Sequence, residues 1–190
     1  MSETFRVTFV CTGNRFRSPL AAAIFEAEIE PLRAPVEVQS FGLLDLRGIP
    51  ALDEALDLGE QFDVDLSAHR SRVIQRGLLE QADLVVGFER IHLAAAVVDG
   101  GAGRDAVYTL PELVALLDGV AREIEDPVAG ARALLAGVSR KRHVDRLFTD
   151  VPELADPLGR PRRVQEEIAS RVSQLTRTLA RRMFGLPRYA

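Results

Sequence analysis

The chain of 190 residues holds 24 Lys and Arg against 28 Asp and Glu, a formal net charge of −4, so a generic nucleic-acid binder is disfavoured and no nucleic-acid partner is expected. Hydrophobic residues make up 47% and charged residues 27%, enough apolar material for a single folded domain and too much for a disordered chain. No run reaches the roughly 18 to 20 apolar residues that span a bilayer, and Met1 to Arg6 has no basic region before a long apolar stretch; neither signal peptide nor membrane anchor is expected, and the chain is expected in the cytosol.

In chain order, Phe5 to Val10 is β-branched and aromatic and predicts a strand. Cys11 to Phe16 holds the turn formers Gly13 and Asn14, and Ser18-Pro19 predicts a helix start with Ser18 as the cap, followed by helical residues to Ile29. Val36 to Phe41 predicts a second strand and Leu52 to Gly59 a helix. Ser67 is expected to cap a short helix over Ser71 to Leu79. Asp83 to Phe88, almost continuously apolar, predicts a strand buried on both faces. Glu89 to Val98 predicts a helix, Ala106 to Leu110 a short strand, and Pro111 to Val120 a helix. Asp126 to Asp150 mixes helix formers with glycines and a basic run, and reads as a partly helical insertion spanning about 118–150 of a single domain. Val151 to Pro161 reads as a loop, and Arg162 to Phe184 as a long amphipathic helix with Val164, Ile168, Val172, Leu175 and Leu179 on one face. Alternating strands and helices predict an α/β fold: a doubly wound, four-stranded, mostly parallel sheet with helices on both faces, in which ligands bind at the carboxyl ends of the strands.

The one cysteine, Cys11, stands at such an end. An arginine, Arg17, follows six positions later and Ser18 comes next, just where a helix begins. Successive amides in a short loop form a nest for an anion, and the helix N-terminus adds partial positive charge. Arg17 offers a planar guanidinium to two phosphate oxygens, while Thr12, Gly13, Asn14, Arg15, Phe16 and Ser18 complete the expected substrate-binding loop. The same features favour a thiolate on Cys11, a nucleophile toward phosphorus, and Ser18 is placed to donate to the sulfur as it leaves. His92 and His143 are expected at the surface. Arg140, Lys141, Arg142 and Arg146 are read as a solvated basic face, with docking of an acidic partner or a nucleic acid as the sharper alternative.

At these residues the chain resembles the low-molecular-weight protein tyrosine phosphatases, whose signature Cys-x5-Arg-Ser lies just after the first strand of a flavodoxin-like fold. Further similarity is carried by Val38 to Gly42, Val64 to Arg72, Asp83 to Arg90, and the Asp-Pro loop Val151 to Gly159. The resemblance implies a phosphomonoester hydrolase working through a phosphocysteine on Cys11, with a phosphorylated protein or small phosphomonoester as partner and no metal or cofactor. It implies supporting roles for Asn14, Ser40 and His69, and a general acid in an Asp-Pro loop. Of Asp126-Pro127 and Asp156-Pro157, the second precedes the last helix as in the family, which selects Asp156.

The chain departs from the family at Phe16, at Leu158-Gly159 and at Phe41, which stands where the family commonly has alanine. Phe16 stands where a protective second cysteine is common, and Leu158-Gly159 stand where phosphotyrosine enzymes carry tyrosines; Phe16 and Phe41 are the expected replacement walls, with Arg15 at the mouth. Two alternatives are a thiol-dependent arsenate reductase and a catalytically weak phosphoprotein-binding module. The sequence assigns no oligomeric state.

Overall fold

A computed structural model describes residues 4–122, 124–142 and 151–186. Four strands, β1 (Phe5–Cys11), β2 (Val36–Gly42), β3 (Leu84–Gly87) and β4 (Val107–Thr109), form one parallel sheet in the order β2-β1-β3-β4. The helices are α1 (Arg17–Ile29), α2 (Asp53–Gln61), α3 (Arg90–Val98), α4 (Leu110–Leu116), α5 (Pro127–Lys141) and α6 (Arg162–Phe184). The fold is the expected α/β arrangement, with helices on both faces of the sheet.

The pleat assigns each strand residue to a face. Phe5, Val7, Phe9 and Cys11 of β1, Leu84 and Val86 of β3, and Tyr108 of β4 enter the larger core under α1, α5 and α6. Val10, Val85 and Val107 enter a smaller core with Leu93 and Ala96 of α3. Edge-to-face ring contacts of Phe9 with Phe25 and of Phe184 with both Phe5 and Phe25 lock α1 and α6 onto the central strand. In this strand order the chain leaves β1 in one direction for β2 and then returns past it to β3. The crevice above the β1–β3 boundary is therefore the switch point where such sheets bind ligands.

Two features differ from expectation. No helix forms over 71–79. Ser67 is engaged by Asp65, which accepts from its amide at 2.7 Å and its hydroxyl at 2.9 Å, and the chain beyond pairs through Arg70 with Pro50 and through Val73 with Gly42. The described part of stretch 118–150 contains α5, helical as expected, and its Val128, Ala131, Leu134, Leu135 and Val138 are part of the larger core. Arg142, expected on a solvated face, has a side chain only 7% exposed: it donates to Glu112 at 2.9 Å through two nitrogens and lies 4.4 Å over the Tyr108 ring. Arg146 and His143 lie outside the described residues. Among the described residues no helix is long and apolar enough to cross a membrane.

Candidate active site

The loop between β1 and α1 turns sharply at Asn14, whose φ is +52°, a left-handed conformation that asparagine tolerates better than most side chains. Gly42, paired with Cys11 across the sheet, makes room for that turn: a Cβ there would come within 2.9 Å of the Asn14 nitrogen. Buried Asn14 is then fixed on every side. Its Nδ2 donates to Ser18 Oγ and to Ser40 Oγ, both at 2.9 Å; its Oδ1 accepts from the Arg72 amide at 2.8 Å; its carbonyl lies 2.7 Å from His69 Nε2. Burial pushes the His69 imidazole toward its neutral form, aided by the positive charges of Arg72 and Arg70 and opposed by the bond to Asn14.

Cys11 Sγ sits inside this frame, 3.0 Å from Ser18 Oγ and accepting from the Asn14 amide at 3.2 Å. Ser18 Oγ accepts from Asn14, and its hydrogen can turn either to the sulfur at 3.0 Å or to the more distant Phe41 carbonyl at 3.4 Å. Ser18 does not cap α1, contrary to expectation: it lies within the helix, whose N-cap is Phe16, and its hydroxyl serves the sulfur.

Arg17 is 1% exposed. Nη1 donates to Glu89 Oε2 at 2.5 Å and to the Leu154 carbonyl at 2.9 Å; Nη2 donates to Asp156 Oδ2 at 2.6 Å and to Thr12 Oγ1 at 3.3 Å. Asp156 reaches Arg17 because its loop is pinned along the strand ends. The Leu154 amide donates to the Phe88 carbonyl at 2.8 Å, Thr109 Oγ1 to the Pro152 carbonyl at 2.7 Å, and the Arg90 amide to Glu153 at 2.7 Å. Asp126, the other Asp-Pro candidate, instead caps α5 through the Ala129 amide at 2.7 Å.

Phe16 and Phe41 are not cleft walls. Phe16 is buried in the larger core and Phe41 in the smaller one, beneath the Arg72 guanidinium at 4.3 Å. Phe16 is thus left to contribute backbone alone. Leu46, whose methyl lies 3.5 Å from where a Gly13 Cβ would be, flanks the loop on one side, and Leu158, 65% exposed, follows the Asp-Pro pair on the other. Arg15 is tied down by its Nε to the Pro50 carbonyl at 2.8 Å. Sequence reasoning missed two groups. Glu89 is a direct partner of Arg17, and His92, expected at the surface, is completely buried against Thr12. Among the described residues no group of three His, Cys, Asp or Glu side chains is arranged to hold a metal ion.

A four-stranded parallel sheet with a cysteine-to-arginine loop at its switch point defines a class of phosphate-handling enzymes, and comparison with known proteins names it. The chain belongs to the low molecular weight phosphotyrosine protein phosphatase family, whose model matches residues 6–183. It is 31% identical over 157 residues to a protein-arginine-phosphatase of Bacillus subtilis, covering 83% of this chain and 99% of the relative. It is 34% identical over 136 residues to a low molecular weight protein-tyrosine-phosphatase of Streptomyces coelicolor, covering 68% and 81%. Among solved structures, the low molecular weight protein tyrosine phosphatase from T. tengcongensis superposes with a TM-score of 0.66 at 28% identity, covering 92% of this chain and 97% of that one. The chain is accordingly a phosphatase.

Proposed function

We propose that this phosphatase removes phosphate from a protein side chain through a phosphocysteine on Cys11. The observation that carries the reading is the position of Cys11 Sγ, 3.0 Å from Ser18 Oγ and 3.2 Å from the Asn14 amide, at the carboxyl end of the central strand and in one loop with Arg17. A phosphoryl group seated there meets the loop amides and Arg17. The Cys11 thiolate attacks phosphorus, the S–P bond forms, and the bond from phosphorus to the leaving atom breaks as Asp156 gives that atom a proton. Water then attacks phosphorus while Asp156 takes its proton. The S–P bond breaks, and Ser18 donates to the departing sulfur. Catalysis is mostly positioning and charge stabilisation, and the rigid frame around Asn14 supports both.

Protein phosphotyrosine is the first substrate reading. Phosphoarginine is the second, favoured by two features: aliphatic Leu158 and Gly159 in place of tyrosines after Asp156-Pro157, and the Bacillus relative named as a protein-arginine-phosphatase. The test is hydrolysis of p-nitrophenyl phosphate by wild type and Cys11→Ser, followed by matched phosphotyrosine and phosphoarginine peptides. Turnover that survives Cys11→Ser overturns the mechanism; the preferred peptide names the substrate class.

A further inference from the structure

His92 takes no part in the chemistry above, yet it is completely buried at the start of α3, directly beneath the loop. A Cβ on Gly87 would come within 2.9 Å of the His92 Cβ, so the glycine lets the helix approach this closely. The ring is held in one tautomer. Its Nδ1 faces two backbone donors, the Phe88 amide at 3.2 Å and the Glu89 amide at 3.0 Å, so the proton resides on Nε2, which donates to Thr12 Oγ1 at 3.2 Å. That same oxygen accepts from Arg17 Nη2.

The charged groups around the ring are Arg17 from α1 and Glu89 at the α3 cap, whose Oε2 is 3.7 Å from Nε2; Asp156 stands behind Arg17. Burial, and then the positive charge of Arg17, push the His92 imidazole down to about 3, so it stays a neutral donor throughout the working range.

The arrangement matters because the two partners of Arg17 Nη2 have different fates. In the proposed reaction, phosphate displaces Asp156 from Nη2 so that the carboxyl can serve the leaving atom. The contact that remains on Nη2 is Thr12 Oγ1, and His92 is what orients Thr12. We propose that His92 is a positioning residue for Arg17, fixing through the Thr12 hydroxyl the plane in which the guanidinium meets phosphate. The inference rests on reading Arg17 as the phosphate ligand.

Orthovanadate inhibition, read with KM and kcat for p-nitrophenyl phosphate, tests it in wild type, Arg17→Ala, His92→Phe, Thr12→Val and the double variant. His92→Phe and Thr12→Val, the two singles combined in the double variant, are each expected to weaken vanadate inhibition roughly tenfold, the scale of one hydrogen bond to a charged group. The double variant should be no worse than the weaker single, because the two act through one contact. Unchanged inhibition in either single variant, or additive losses in the double, overturns the inference. Retained inhibition in Arg17→Ala overturns instead the reading of Arg17. If His92→Phe does not fold, nitrogen NMR of His92 Nε2 replaces it. The signal should shift when vanadate binds wild type and should not shift in Thr12→Val; no shift in wild type, or an equal shift in both, overturns the inference.

Discussion

Arg17 Nη2 donates to Asp156 Oδ2 at 2.6 Å, so the proposed phosphate ligand and the proposed general acid are in contact. Any oxyanion that binds Arg17 must compete with that carboxylate. Asp156→Ala therefore has two effects of opposite sign: kcat should fall roughly 10²- to 10³-fold through loss of the proton donor, while vanadate should inhibit several-fold more tightly. Steady-state kinetics with a vanadate titration reads both. Weaker vanadate inhibition would show that the carboxylate does not compete.

Asn14 ties the loop to β2 and to the segment after α2. Asn14→Ala leaves Ser18, Ser40 and the Arg72 amide short of a partner and puts alanine at a φ of +52°. A loss of about 3 kcal/mol in urea unfolding is expected, together with a sharp fall in kcat, since the sulfur's partners lose their frame. A variant of wild-type stability would mean that the loop holds itself.

His92 also makes stability depend on pH. Its folded value is depressed from 6.5 to about 3, so the unfolded chain takes up a proton in that interval and the native protein does not. This contribution is complete above 6.5 and is lost as pH falls toward 3, at up to about 1.4 kcal/mol per pH unit. Denaturation curves at stepped pH should show His92→Phe with a shallower acid slope than wild type. Parallel slopes would contradict a neutral buried ring.

Arg142 should behave as a core residue. Arg142→Ala strands the Glu112 carboxylate and uncovers Tyr108, at a cost of about 3 kcal/mol that changes little with added salt. A small, salt-sensitive effect in thermal unfolding would return Arg142 to the surface.

Much of the fold was legible in the sequence because its signals are local. β-Branched and aromatic residues marked β1, a continuous apolar run marked β3, and the apolar face of an amphipathic helix marked α6 from Arg162 to Phe184. The cysteine loop was legible for the same reason: its spacing is contained in eight residues. The errors came where one signal serves two structures. Ser18-Pro19 reads as a cap whether the serine bonds the backbone or a thiol. Gly130 reads as a helix breaker, yet it lies within α5, at a position where a Cβ would come within 2.6 Å of the Ile124 carbonyl. Arg142 counts as surface charge until Glu112, 30 residues away, is seen beside it. His92 was illegible because its partners are a side chain 80 residues earlier and two backbone amides that only the end of β3 brings together.

The connections made by Arg17 also fix an order of events in the life of the chain. Its acidic partners stand 72 and 139 residues further on, and the later one belongs to the last loop before the final helix. During synthesis the cysteine and its arginine emerge first and wait for nearly the whole polypeptide. A product cut short before that loop also lacks α6, whose Phe184 packs against Phe5 and Phe25, so the core on which the loop rests stays open. The surroundings of Arg17 are therefore assembled only once the last loop and the final helix are in place.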